Sequence, residues 1–130
     1  MNELKNLGTI SGVVKHGRGE GDSLGFRTAN LEVDAAAIPV PEGVYSAYAF
    51  VDEKPYRAAV SVGVSPLFEE ETNANVEAHI LDFSDNLYNK EITIQFCEFL
   101  RPMIAFSSKD ELISTVKHNI EQARQLPLPE

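Results

Sequence analysis

Six short strands followed by one amphipathic helix is the pattern this sequence predicts. The simplest fold that accommodates it is a small antiparallel β-barrel, closed to remove its edges, with the helix packed outside. Three observations carry the prediction. Apolar and polar residues alternate in the later segments, β-branched and aromatic runs bounded by Gly and Pro fill the earlier ones, and helical periodicity is confined to the C-terminal stretch. A two-sheet sandwich is compatible with the same pattern and remains the competing architecture.

The first strand is "GTISGVV" (8–14), a β-branched run, and the second is "RTANLEV" (27–33). The glycine-rich segment "HGRGEGDSLGF" separates them, and "AAIPVPEG" follows with Pro39, Pro41 and Gly43 as breakers. "VYSAYAFV" and "YRAAVSVGV" form a hairpin about "DEKP" (52–55). In "NVEAHILDF", Val76, Ala78 and Ile80 face one way and Glu77, His79 and Leu81 the other. "EITIQFCEF" sets Ile92, Ile94 and Phe96 on one side, and Pro102 stops the run. Ser108 followed by Glu111 fits a capping box, and Leu112, Ile113, Val116, Ile120 and Ala123 then make one apolar stripe that Pro127 ends.

The chain of 130 residues suits one domain, 1–130, with the barrel over about 8–102 and the helix over about 108–125. Hydrophobic residues make up 43% and charged residues 24%, as in globular proteins. No apolar run approaches the ~20 residues of a membrane span, and the N-terminus has no apolar signal region. Cys97 is the one cysteine, so an internal disulfide and a cysteine-rich metal cluster are excluded. A formal net charge of −9 argues against nucleic-acid binding, which needs Lys and Arg to neutralise phosphates. A cytoplasmic protein, a monomer with no membrane or nucleic-acid partner, is the expectation.

Three groups of residues could carry chemistry. Gly17, Gly19, Gly21 and Gly25 let a backbone approach phosphate oxygens closely, although the segment is neither a Walker A loop nor a dinucleotide fingerprint. An ordinary hairpin loop would show the same glycines. Thr28 and Asn30, two apart on a strand, share a face and could offer two oxygens to one hard cation such as Mg²⁺. They could equally bond the backbone at a strand end. Glu77 could accept a proton from a substrate hydroxyl with His79 orienting it, or both could lie on a solvent face. The acidic run "FEEET" reads as a solvated loop, and nothing fixes a zinc spacing between His16 and His79.

Taken in order, "GVVKHGRGEGDSLGFRTANL", "PEGVYSAYA", "SVGVSPLF", "VEAHILDFSDNLYNKEI" and "FLRPMIAFSSKDEL" resemble the riboflavin kinase family over nearly the whole chain. "LGFRTANL", "EAHILDF" and "LRPMIAF" are the most specific pieces. The resemblance implies a six-stranded antiparallel Greek-key barrel with a C-terminal helix. It also implies transfer of the ATP γ-phosphoryl to the ribityl 5′-hydroxyl of riboflavin, giving FMN, with Mg²⁺ or another divalent cation. Carried over, Thr28 and Asn30 match the metal- and phosphate-contacting pair, and Glu77 the catalytic base. Gly17, Gly19 and Gly21 match the flap over the nucleotide, while Arg101 and Phe106 fall where the flavin ring is expected. The chain would be a stand-alone protein or one module of a longer one.

Departures from the family pattern gather at the nucleotide loops. Arg27 replaces a proline, Glu20 and Asp22 stand where the flap carries arginines, and Ser61, Ser65 and Leu67 replace Asn, Arg and Thr. Asn86 and Asn89 stand for Asp and Gly in the usual Asp-Leu-Tyr-Gly, and Ala105 for a common lysine. They raise a second expectation, a barrel that has lost phosphoryl transfer and binds a flavin or another ligand as a regulatory or interaction module.

Overall fold

The strands close into a barrel, which decides between the two architectures left open by the sequence. In the computed structural model, β1 (Gly8–Lys15), β2 (Arg27–Asp34), β3 (Gly43–Val51), β4 (Lys54–Val64), β5 (Asn73–Ile80) and β6 (Glu91–Arg101) precede one helix, α1 (Lys109–Arg124). The structure describes residues 6–15, 27–34, 37–64, 73–83, 87, 89–102 and 108–127. The closed order is β1-β2-β5-β4-β3-β6, with every neighbouring pair antiparallel. Here β3, β4 and β5 follow one another and β6 returns beside β3, the arrangement of a Greek key.

Alternation explains the core. Ala29, Leu31 and Val33 of β2, Ala58, Val60 and Val62 of β4, Val76, Ala78 and Ile80 of β5, and Ile92, Ile94 and Phe96 of β6 all turn inward. Tyr45 meets Phe96 edge to face with centroids 5.2 Å apart, filling the interior with aromatic area. Among the described residues the barrel interior is apolar throughout.

Strand boundaries move slightly from those expected, for local reasons. The β3–β4 turn is only Asp52 and Glu53, at φ 50° and 70°, so Lys54 and Pro55 join β4 instead of the loop. Positive φ at both turn positions matches the twist of the flanking strands. β5 stops at Ile80 because Asp82 takes φ 57° and turns the chain.

α1 begins where the capping signal placed it, with the Glu111 amide donating to Ser108 Oγ at 3.1 Å. Its Ile120 and Ala123 bury against Ala59 and Leu81, with Val116 packed beside them. Burying an aliphatic side chain such as Ile120 contributes about 1.5–3 kcal/mol. α1 also packs on β3, which is buried along both faces: Val44, Ser46 and Tyr48 alternate with inward residues yet are 2% exposed or less. Arg57 fixes the helix's far end, donating from Nη1 to the Arg124 carbonyl at 2.7 Å and reaching Asp82 at 3.4 Å. A cation there complements the partial negative charge of a helix C-terminus.

Candidate active site

β2 and β5 are neighbours in the barrel although some forty residues separate them, and their register assembles the site. Thr28 stands opposite His79, and Asn30 opposite Glu77. On the other side of β5, Ser61 of β4 pairs with Glu77 and Ala59 with His79. Since their neighbours Ala29, Leu31, Val76, Ala78 and Ile80 fill the core, Asn30, Glu77 and His79 belong to the outer face.

That face is not uniformly solvated, contrary to one of the two readings the alternation allowed. The Glu77 side chain is 43% exposed, whereas that of His79 is 11% exposed and Leu81 is buried. His79 lies beside Ala59, one of the residues α1 covers, while Glu77 lies beside Ser61 on the open side. His79 Nε2 is 3.2 Å from Glu77 Oε1. Burial pushes the imidazole down to about 4, so near neutral pH it is uncharged and the contact is not an ion pair.

The donors gathered here are oxygens. Asn30 brings an amide oxygen and Glu77 a carboxylate, which suit a hard cation that completes its shell with water and phosphate oxygens. Among the described residues no three His, Cys, Asp or Glu side chains converge on one point. Cys97 is buried and its thiol is pushed up to about 11 by burial, so it stays protonated and is a poor nucleophile.

The same transverse row continues from Ser61 to Val44 of β3 and then to Arg101 of β6. Three strand spacings put Arg101 roughly 14 Å from Glu77 along the sheet. Its guanidinium is engaged by the helix: Nε donates to Asn119 Oδ1 at 2.9 Å and Nη1 to the Pro102 carbonyl at 3.3 Å. Arg101 therefore anchors α1 at the edge of the segment expected to meet the flavin. Gly17, Gly19, Gly21 and Phe106 lie outside the described residues, as do Glu20, Asp22, Ser65, Leu67 and Ala105. For Thr28 the backbone register is described and the side chain is not.

Ser61 is the residue whose place the sequence did not reveal. It drew notice only as a departure from the family pattern, yet it flanks Glu77 directly. Alternation along β4 could have put it on the outer face, but only the β4–β5 register brings it to the carboxylate.

The family model described as riboflavin kinase matches residues 4–127. A riboflavin kinase of Mus musculus is 33% identical over 126 residues, covering 92% of this chain and 81% of that protein. A bifunctional riboflavin kinase/FMN adenylyltransferase of Pseudomonas fluorescens is 31% identical over 120 residues, or 92% of this chain. The chain spans only 17% to 38% of the length of such multifunctional relatives. Among solved structures, the riboflavin kinase from Trypanosoma brucei superposes with a TM-score of 0.61 at 28% identity, covering 89% of this chain and 76% of that one. With a family match over almost its whole length and a barrel of the same build, the chain belongs to the riboflavin kinase family.

Proposed function

We propose that this protein transfers the γ-phosphoryl group of ATP to the 5′-hydroxyl of riboflavin, giving FMN and ADP. The observation that carries the reading is the pairing of Asn30 with Glu77 across β2 and β5, on the outer face of a barrel of this family. It sets a neutral oxygen ligand and a proton acceptor within one strand spacing, about 5 Å, of each other.

Thr28 and Asn30 would hold a divalent cation, Mg²⁺ by the hardness of the donors, together with the nucleotide phosphates, and it would supply neutralisation of phosphate charge there. Gly17, Gly19 and Gly21 cover the phosphates with backbone amides, and Arg101 and Phe106 border the flavin ring. Glu77 accepts the proton of the 5′-hydroxyl as its oxygen bonds to the γ-phosphorus. The bond from that phosphorus to the bridging oxygen breaks, and ADP carries away the electron pair. Phosphoryl transfer asks little else of a protein beyond position and charge.

Purified protein mixed with riboflavin, ATP and Mg²⁺ is expected to form FMN, and Glu77→Gln to lose most of that rate, on the order of 10²–10⁴-fold for a proton acceptor. Absence of FMN from the wild type, with flavin fluorescence still quenched on mixing, would instead establish a ligand-binding barrel without kinase activity.

A further inference from the structure

We infer that His79 is a positioning residue for the reaction: its Nε2–H donates to Glu77 Oε1 and fixes the rotation of the carboxylate that receives the substrate proton. The inference rests on the assignment of Glu77 as proton acceptor. Its basis is geometric. Residues two apart on a strand share a face, and His79 Nε2 reaches Glu77 Oε1 at 3.2 Å. The Glu77 side chain is 43% exposed, whereas the imidazole is 11% exposed. Ala59, opposite His79, belongs to the apolar cluster that α1 closes with Ile120 and Ala123.

Tautomer chemistry makes the claim specific. A carboxylate oxygen facing Nε2 can only accept, so the ring must carry its hydrogen on Nε2. A neutral imidazole has one ring N–H to give, so its tautomer decides whether Glu77 can receive it. The ring stands beside Ala59, which α1 covers, and from that buried place it aims the carboxylate. A misplacement of about 1 Å at a reacting group can cost ~10²-fold in rate.

Two measurements test this, one of them independent of turnover. In ¹⁵N-histidine-labelled protein the ring signals of His79 are identified, among three histidines, by their loss in His79→Gln. The Nε2–H tautomer is expected, with its proton resonance displaced in Glu77→Gln; a ring protonated on Nδ1 alone overturns the inference. Kinetically, His79→Leu is expected to lower kcat by about 10²-fold with the KM for riboflavin little changed. His79→Gln, whose amide nitrogen can occupy the place of Nε2, recovers most of the loss. In a Glu77→Gln background, His79→Leu has no further effect. Equal losses in both backgrounds, or no recovery in a folded His79→Gln, would refute the role. A wild type without turnover would remove the kinase reading alone, and the tautomer would still decide whether His79 serves Glu77.

Discussion

Acidification from about pH 7.5 to about pH 5 is expected to destabilise the fold by roughly 2 kcal/mol through His79 alone. In the unfolded chain the imidazole titrates at its ordinary 6.5, and burial pushes the folded value down to about 4. Well above both values the ring is neutral in either state and contributes no pH dependence. As the pH falls through 6.5, the unfolded chain takes up a proton that the folded protein refuses. The unfolded state then binds more protons, and stability declines until the folded ring also protonates near 4. The whole gap is worth about 3 kcal/mol at 1.36 kcal/mol per unit, and about two-thirds of it has been lost by about pH 5. His79 is only 8% exposed, so solvent screening takes little from that figure.

The assay is urea denaturation in metal-free buffer at the two pH values, followed by far-UV circular dichroism because the chain has no tryptophan. Wild type is compared with His79→Gln, so that contributions of the 20 acidic residues largely cancel in the difference. The wild type should lose about 2 kcal/mol more than the variant. Equal losses would mean that the folded ring protonates as easily as the unfolded one, and the burial reasoning would fail.

Three other outcomes are expected. Asn30→Ala should raise the Mg²⁺ concentration needed for half-maximal FMN formation about tenfold, equivalent to about 1.4 kcal/mol, with little change in the KM for riboflavin. Arg57→Met should lower stability by about 1–2 kcal/mol in urea titrations, because it removes the donor to the Arg124 carbonyl and the ion pair with Asp82. The loss stays below the sum of those contacts since Arg57 Nε is buried without a partner and its desolvation cost disappears with it. Glu53→Gly should raise the urea midpoint, with a net gain of about 0.5–1 kcal/mol, by relieving a non-glycine residue at φ 70° in the β3–β4 turn.

The local patterns in the sequence marked every element because each is governed by neighbours along the chain. Val76, Ala78 and Ile80 alternate inward, and Ile120 and Ala123 recur at helical spacing, whatever the rest of the molecule does. Barrel closure is expected from the need to remove sheet edges and from the family resemblance, and the strands do close, although a period of two by itself reads the same in a sandwich strand. The double burial of β3 was not legible, since Ser46 and Tyr48 look like surface residues until α1 is laid over them. The site divides along the same line. Thr28 with Asn30, and Glu77 with His79, could each be paired from spacing two. That the first pair faces the second depends on the β2–β5 register, a contact between distant segments that no local period encodes.

The place of the site follows from the size of the barrel. Six strands enclose a volume occupied by Tyr45, Phe96 and aliphatic residues, which leaves the outer face for the candidate site. An outer face is ordinarily open to water, where a carboxylate is solvated and free to rotate. The helix changes that only where it packs, against β3, β4 and Leu81. From Glu77 to His79 the strand advances two residues, roughly 7 Å, and crosses from open ground to covered ground. One end of this step is half-open, while the other is buried and holds a neutral imidazole. A single strand running beside the ground that one helix covers thus provides access and burial in adjacent same-face positions.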